Sequence, residues 1–194
     1  MTSDQRIGLF FGSFNPIHIG HLIIANAVVE GTDVEKVWFV VSPQNPLKSG
    51  KGLLHEQDRY DMVKAAIGDN YKLDVSDVEF HLTRPSYTIN TLTHLQEKYP
   101  TRHFSLILGE DNLVNLPQWR NYQQILEHYG LYVYPRPGVT NEEIRRHRNV
   151  KMVDAPLLDI SATYIRSCVK ANKSIRYLVP EAVEGIIRMR GYYR

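Results

Sequence analysis

Apolar positions along this chain fall into two alternating patterns. Ile7 to Phe11 is a short unbroken apolar run that stops at Gly12, which predicts a buried strand ending in a turn. His18 to Glu30 has Gly20 as its only breaker and Pro16 just before it, and predicts a helix. Lys36 to Ser42 is β-branched and aromatic, so a second strand is expected. Pro43 to Gly52, with two prolines and two glycines, reads as a loop. The alternation then repeats. Helices are expected over His55–Ile67, Thr88–Tyr99, Tyr122–Tyr129 and, shorter, Asn141–Arg148. Strands are expected over Lys72–Val75, Asp77–His81, His103–Gly109, Gly130–Tyr134 and Lys151–Val153, with Glu79 and His81 giving one of them an exposed face. Two helices, Ser161–Ala171 and Pro180–Met189, close the pattern.

Strand-helix alternation predicts an α/β fold: a Rossmann-like doubly wound, mostly parallel sheet with helices on both faces. Right-handed crossovers gather the carboxyl ends of the strands along one edge, where ligands bind. Gly12, Ser42, Pro43, Gly109, Pro135 and Arg136 each follow a predicted strand end, so they are expected to meet in one cleft. No linker, repeat or low-complexity stretch interrupts the chain. Residues 1–194 are expected to form one domain, with helices in 161–190 closing it.

Composition narrows the function classes. The 194 residues are 43% hydrophobic and 23% charged, as in ordinary globular proteins. A formal net charge of +2 is too small for nonspecific binding to nucleic acid, and the basic stretch Arg145 to Arg148 reads as a solvated face. The single cysteine, Cys168, has no partner for an internal disulfide and reads as a small buried residue. No apolar run approaches the roughly 20 residues that span a bilayer, and the residues from Met1 to Arg6 lack a signal-peptide pattern. A cytoplasmic protein without nucleic-acid or membrane partners is expected, and a homo-oligomer is compatible with the chain.

The chemistry concentrates in the first strand-to-helix turn. Gly12 allows backbone to approach a ligand closely, Ser13 and Phe14 offer turn N–H groups, and the next helix adds unpaired N–H groups and a positive dipole end. The turn lacks the Gly-Lys-Ser/Thr of a P-loop and the Gly-x-Gly-x-x-Gly spacing. In their place stand His18 and His21, three residues apart and so on one face of the first helical turn. Each can donate a hydrogen bond to a phosphoryl oxygen. Zinc ligation favours a wider histidine spacing and a third ligand; capping with ordinary packing is the other reading. The coincidence of glycine turn, helix start and histidine pair favours a phosphate site over both.

The stretch Gly12-Ser13-Phe14-Asn15-Pro16-Ile17-His18-Ile19-Gly20-His21 resembles the signature of the nucleotidyltransferase superfamily. Ile160-Ser161-Ala162-Thr163-Tyr164-Ile165-Arg166 resembles its second motif. Further segments are similar to bacterial nicotinate mononucleotide adenylyltransferases. These are Pro43 to Lys48, with Leu47 where the family has histidine, and then Ser86-Tyr87-Thr88, Gly109-Glu110-Asp111, Trp119, Arg136-Pro137-Gly138 and Tyr177-Leu178-Val179-Pro180. The resemblance spans essentially the whole chain.

It implies that ATP and nicotinate mononucleotide give nicotinate adenine dinucleotide (deamido-NAD) and pyrophosphate. His18, His21 and Arg166 would then act on the ATP phosphates, with Mg²⁺ carried by those phosphates rather than by protein ligands. ATP would be held by Gly12, Ser13, Phe14, His18, His21, Lys48, Gly109, Asp111, Ile160, Ser161, Thr163 and Arg166. The mononucleotide would meet Asn45, Lys48, Tyr87, Thr88, Trp119 and Arg136. Trp119 also fits partial core packing, Asp111 a helix N-cap, and Arg136 a surface ion pair. Three other readings stand beside this one. One is a different adenylyltransferase of the superfamily, such as phosphopantetheine adenylyltransferase; another is an enzyme that prefers the amide mononucleotide or accepts both; the third is a nucleotide-binding regulator without catalysis.

Overall fold

The computed structural model describes residues 5–43, 52–138 and 140–194. The chain runs β1 (Gln5–Gly12), α1 (Ile19–Gly31), β2 (Lys36–Val41), α2 (Glu56–Ile67), β3 (Leu73–Ser76), α3 (Thr88–Lys98) and β4 (Arg102–Gly109). It continues through α4 (Asn112–Asn115), α5 (Tyr122–His128), β5 (Leu131–Tyr134), α6 (Glu142–Arg145), β6 (Val150–Met152), α7 (Ala162–Lys170) and α8 (Glu181–Arg190). The strands form one sheet in the order β3-β2-β1-β4-β5-β6, and all neighbours pair in parallel. Strand order reverses between β1 and β4, which are adjacent; in doubly wound sheets that is where ligand clefts open.

A parallel strand buried on both sides reads as a continuous apolar run, and the pleat then sorts its residues by face. In β1, Ile7 and Leu9 join the core under α3, α4, α5 and α6, whereas Phe10 joins the core under α1, α2, α7 and α8. In β5, Leu131 and Val133 go to the first of these cores and Tyr132 and Tyr134 to the second. Gly8 leaves room between the layers, since a Cβ there would come within 2.6 Å of the Ile107 side chain. At the amino ends of the strands, Tyr132, Arg6 and Lys151 all donate to Asp33, which ties the α1–β2 connection to β1, β5 and β6.

Two local expectations change. Asp77–His81 is not a strand: Val78–His81 is a 3₁₀ turn, and Glu79 is buried at 3% exposure instead of facing solvent. The Phe80 N–H donates to the Asp77 carbonyl, so the apparent two-residue alternation comes from a tight turn carrying Val78 inward. The stretch Asn112 to Gln118, which carried no predicted element, forms α4 and a second 3₁₀ turn at Leu116–Gln118. Leu113 and Leu116, three apart, are both fully buried there.

Leu92 anchors α3 and is completely buried. Leu92→Ala should lower the unfolding free energy by about 2–5 kcal/mol, measured by denaturant titration, with the secondary structure retained.

Candidate active site

The turn after β1 closes over an aromatic floor. Phe14 adopts a left-handed backbone (φ 44°), and its ring folds back beneath Gly12, where an added Cβ would come within 2.7 Å of it. Only glycine fits that approach. The ring is 2% exposed and packs edge-on against Phe10, Phe39 and His21 at centroid distances of 6.0, 5.4 and 5.1 Å. Only the backbone of Phe14 is left to face a ligand.

His18 is the N-cap of α1 and lies just outside the helix. Its N–H donates to His21 Nδ1 at 3.2 Å, and the His21 N–H donates to the His18 carbonyl at 3.0 Å. A main-chain N–H can only donate, so His21 Nδ1 is an acceptor and its proton sits on Nε2, leaving that nitrogen as the donor. The two rings stack at 3.7 Å with planes 28° apart. Gly20 makes room for this, since a Cβ there would lie 3.1 Å from His18 Nδ1. That Nδ1 is buried and has no hydrogen-bond partner among the described residues.

Burial first, and then the nearby Arg136 charge, hold the His18 imidazole down to about 4. His21 is pushed well below its ordinary value by burial, then by His18 and Arg136. Both rings are therefore neutral near pH 7, and stacking them brings no like-charge repulsion.

The distal motif returns to this turn. Ile160 Cβ lies 3.8 Å from where a Gly20 Cβ would be. The Arg166 guanidinium donates to the Asn15 carbonyl at 2.8 Å and to Thr163 Oγ1 at 3.2 Å. Ser161 caps α7, its hydroxyl accepting the Tyr164 N–H at 3.2 Å. From the end of β4 and β5, Gly109, Asp111 and Arg136 crowd together: a Gly109 Cβ would meet Asp111 Oδ1 at 2.5 Å and Arg136 Cγ at 3.0 Å. Asp111 occupies the N-cap position of α4 without making the capping bond.

Tyr87 and Trp119 pack against the opposite core, the one under α3. Tyr87 is the N-cap of α3, Thr88 its first residue, and Arg120 lies over the Tyr87 ring at 5.1 Å. The structure thus brings together Gly12, Ser13, Phe14, His18, His21, Ile160, Thr163 and Arg166, sets Gly109, Asp111 and Arg136 beside them, and leaves Tyr87, Thr88 and Trp119 on the other side of the sheet. Asn45, Leu47 and Lys48 lie outside the described residues.

Two further side chains hold the turn, Arg59 outside both motifs and Asn15 inside the first. Arg59 is fully buried. Its guanidinium donates to the carbonyls of Leu54 (2.9 Å), Ser13 (2.6 Å), Ser42 (2.7 Å) and Pro43 (3.0 Å). Asn15, 5% exposed, donates to the Gly52 carbonyl at 2.9 Å and accepts from the Leu54 N–H and the Tyr193 hydroxyl at 3.3 and 2.9 Å. The sequence did carry a signal for Arg59. It shares the inner face of α2 with Met62 and Val63, and a charged residue on an apolar stripe is rarely idle.

Among the described residues no three His, Cys, Asp or Glu side chains are grouped to hold a metal ion, so the histidine pair has no third protein ligand there. Among them, too, no helix is long and apolar enough to cross a membrane.

The chain is similar to known proteins along nearly its whole length. The Cytidylyltransferase-like family matches residues 9–168. A Cytophaga hutchinsonii protein named "Probable nicotinate-nucleotide adenylyltransferase" is 61% identical, covering 97% of this chain and 98% of its own. A Bacteroides fragilis protein of the same name is 43% identical over 93% and 90%. In fold, the chain is similar to the Plasmodium falciparum nicotinic acid mononucleotide adenylyltransferase complexed with NaAD, at 18% identity, a TM-score of 0.81 and 97% coverage of both chains.

The histidines set a pH dependence. Between the ordinary histidine value of about 6.5 and about 4, an unfolded chain takes up a proton at His18 that the folded chain refuses. Stability contributed by this group is therefore complete above about pH 6.5 and falls as the pH drops toward 4. In an NMR titration the His18 ring should show no midpoint between about pH 5 and 8, and Arg136→Ala should move its midpoint upward.

Proposed function

The chain belongs to the nicotinate-nucleotide adenylyltransferase family, within the Cytidylyltransferase-like group, and from that premise we propose how its cleft performs the reaction. The enzyme transfers the adenylyl group of ATP to nicotinate mononucleotide, giving nicotinate adenine dinucleotide and pyrophosphate in NAD synthesis. The observation that carries the mechanistic reading is the neutral, stacked His18–His21 pair at the start of α1, beside the point where strand order reverses.

A 5′-phosphate oxygen of the mononucleotide attacks the α-phosphorus of ATP in line. The new P–O bond forms as the bond to the β-phosphate bridging oxygen breaks, and pyrophosphate departs with that electron pair. No covalent enzyme intermediate is required, so catalysis consists of positioning and charge stabilisation. His21 donates from Nε2 to a phosphoryl oxygen as charge builds there, and His18 supports it from the stacked position. Being neutral, the pair stabilises the transition state by hydrogen bonding, while the positive charge comes from Arg166 and Arg136.

Arg166 grips the β- and γ-phosphates, since a guanidinium fork matches paired oxygens. The N–H groups of Ser13 and Phe14 line the phosphate path, and Gly12 and Gly109 keep its walls low. Thr163, Ser161 and Ile160 border the nucleotide, and Asp111 accepts from a ribose hydroxyl. Lys48 completes the phosphate contacts. Mg²⁺ enters as part of the MgATP substrate, carried by its phosphates.

For the acceptor, Thr88 begins α3, and the first N–H groups of a helix have no intrahelical partners. They favour a carboxylate over an amide on the pyridine ring. The Trp119 indole stacks on that ring, Tyr87 borders it, and Asn45 lies along the mononucleotide.

Acceptor choice tests the reading. With pyrophosphate release as readout, kcat/KM for the acid mononucleotide should exceed that for the amide by about tenfold or more, the scale of one hydrogen bond to a charged group; equal values would contradict it. His18→Ala should lower kcat by about 10²–10³ with thermal unfolding unchanged, and near wild-type turnover would remove the histidine from catalysis.

A further inference from the structure

Glu79 has no part in the chemistry described so far, yet it is the most deeply buried carboxylate among the described residues. It lies in the 3₁₀ turn after β3 at 3% exposure, and no Lys or Arg among the described residues pairs with it. Thr91 Oγ1, itself fully buried, donates to Glu79 Oε1 at 2.9 Å. Burial raises the pKa of the Glu79 carboxyl group, against the opposing influence of the hydroxyls at Ser42, Thr91 and Ser86. A carboxyl group buried without a cation is costly, and a hydroxyl donor offsets that only in part. The fold keeps it nonetheless.

The hydroxyls around Glu79 belong to separate segments, Thr91 being the one that donates to it, and the identity of those segments is informative. Ser42 follows β2, where its N–H donates to the Gly12 carbonyl at 2.9 Å and its own carbonyl accepts from Arg59 at 2.7 Å. Ser86 immediately precedes Tyr87 and Thr88. Thr91 is one turn into α3, and its N–H donates to the Tyr87 carbonyl at 3.2 Å. Glu79 thus sits where the phosphate-side turn, through Ser42, meets the start of α3, through Ser86 and Thr91. The turn that carries Glu79 also follows directly on β3, whose Ser76 pairs with Val40 of β2.

We propose that Glu79 is a positioning residue for the acceptor, holding Ser86, Tyr87 and Thr88 in register with the end of β2 and so with the phosphate-binding turn. This rests on the acceptor reading given above. A purely apolar residue of similar size would pack as well but would give the Thr91 hydroxyl no acceptor. The function of the buried carboxyl group is to set the distance between the two halves of the cleft.

The test uses Glu79→Gln, which keeps the size but turns one acceptor oxygen into a donor, and Thr91→Val, which removes a single donor and keeps the shape. Hydrogen–deuterium exchange on the unliganded protein reads the segment directly, and steady-state kinetics read both substrates, with thermal melts alongside. Both variants should raise exchange at residues 86–90 and raise KM for nicotinate mononucleotide, by about tenfold for Glu79→Gln, while KM for ATP stays within about twofold. The proposal is overturned by unchanged exchange at 86–90, by faster exchange spread through β1 and β4 in step with a lower Tm, or by KM values for both substrates rising together. Wild-type enzyme is assayed in parallel with the acid and amide mononucleotides. Should it use neither, the acceptor reading fails by itself, and the exchange data alone decide whether Glu79 positions the segment.

Discussion

The Arg59 guanidinium, taken out of water and given four main-chain carbonyls instead of a carboxylate, is the constraint on which the cleft depends. Those carbonyls belong to Ser13, Ser42, Pro43 and Leu54, so one side chain joins the turn after β1, the end of β2 and the approach to α2. Burying a lone charge costs several kcal/mol, and hydrogen bonds to a charged group return about 1.5–3 kcal/mol each. Four of them make the arrangement stable only when all four carbonyls are in place. The geometry is all-or-none, which suits a turn that has to present its N–H groups in one arrangement.

Asn15 extends this control to the far end of the chain. Its side chain takes the Tyr193 hydroxyl and its carbonyl takes the Arg166 guanidinium. Two segments separated by about 150 residues in sequence are thereby held within hydrogen-bonding distance. Arg166 is aimed by the same turn that carries the histidines, so phosphate donors from α1 and α7 keep a common frame. Burial of Tyr193, which pushes its hydroxyl above the usual tyrosine value despite the opposing Arg166 and Arg59 charges, keeps that hydroxyl protonated and able to donate.

The histidine pair is kept neutral by the same kind of enclosure. Phe10 and Phe14 wall the His21 ring, Gly20 admits the His18 ring, and Arg136 adds positive potential that disfavours a second charge. Neutral imidazoles give up a hydrogen bond without requiring a proton to be moved on or off, and the cationic work is left to guanidiniums that stay charged. Positioning and charge are thus divided between residue types according to their pKa values.

Strands, helices and their order were legible in the sequence because apolar runs and turn residues act locally. The histidine pair and Ile160–Arg166 were legible because their residue types and spacing are specific. The 3₁₀ turn at Val78–His81 was not, since Val78, Glu79 and Phe80 imitate strand alternation over too short a span to separate the two periods. The roles of Arg59, Asn15 and Glu79 were not legible either: Arg59 showed only as a charge on the apolar stripe of α2 and Asn15 only as a member of the first motif, because each acts through partners supplied by distant segments. The sequence by itself determined an α/β chain whose first turn joins a glycine, a helix start and two histidines, because these lie within ten residues of one another. Only the tertiary structure decided that both histidines are neutral, that Arg166 is held by Asn15, and that a buried arginine and a buried glutamate meet across Ser42. These depend on burial and on carbonyls and hydroxyls converging from separate strands, which exist only once the sheet has formed.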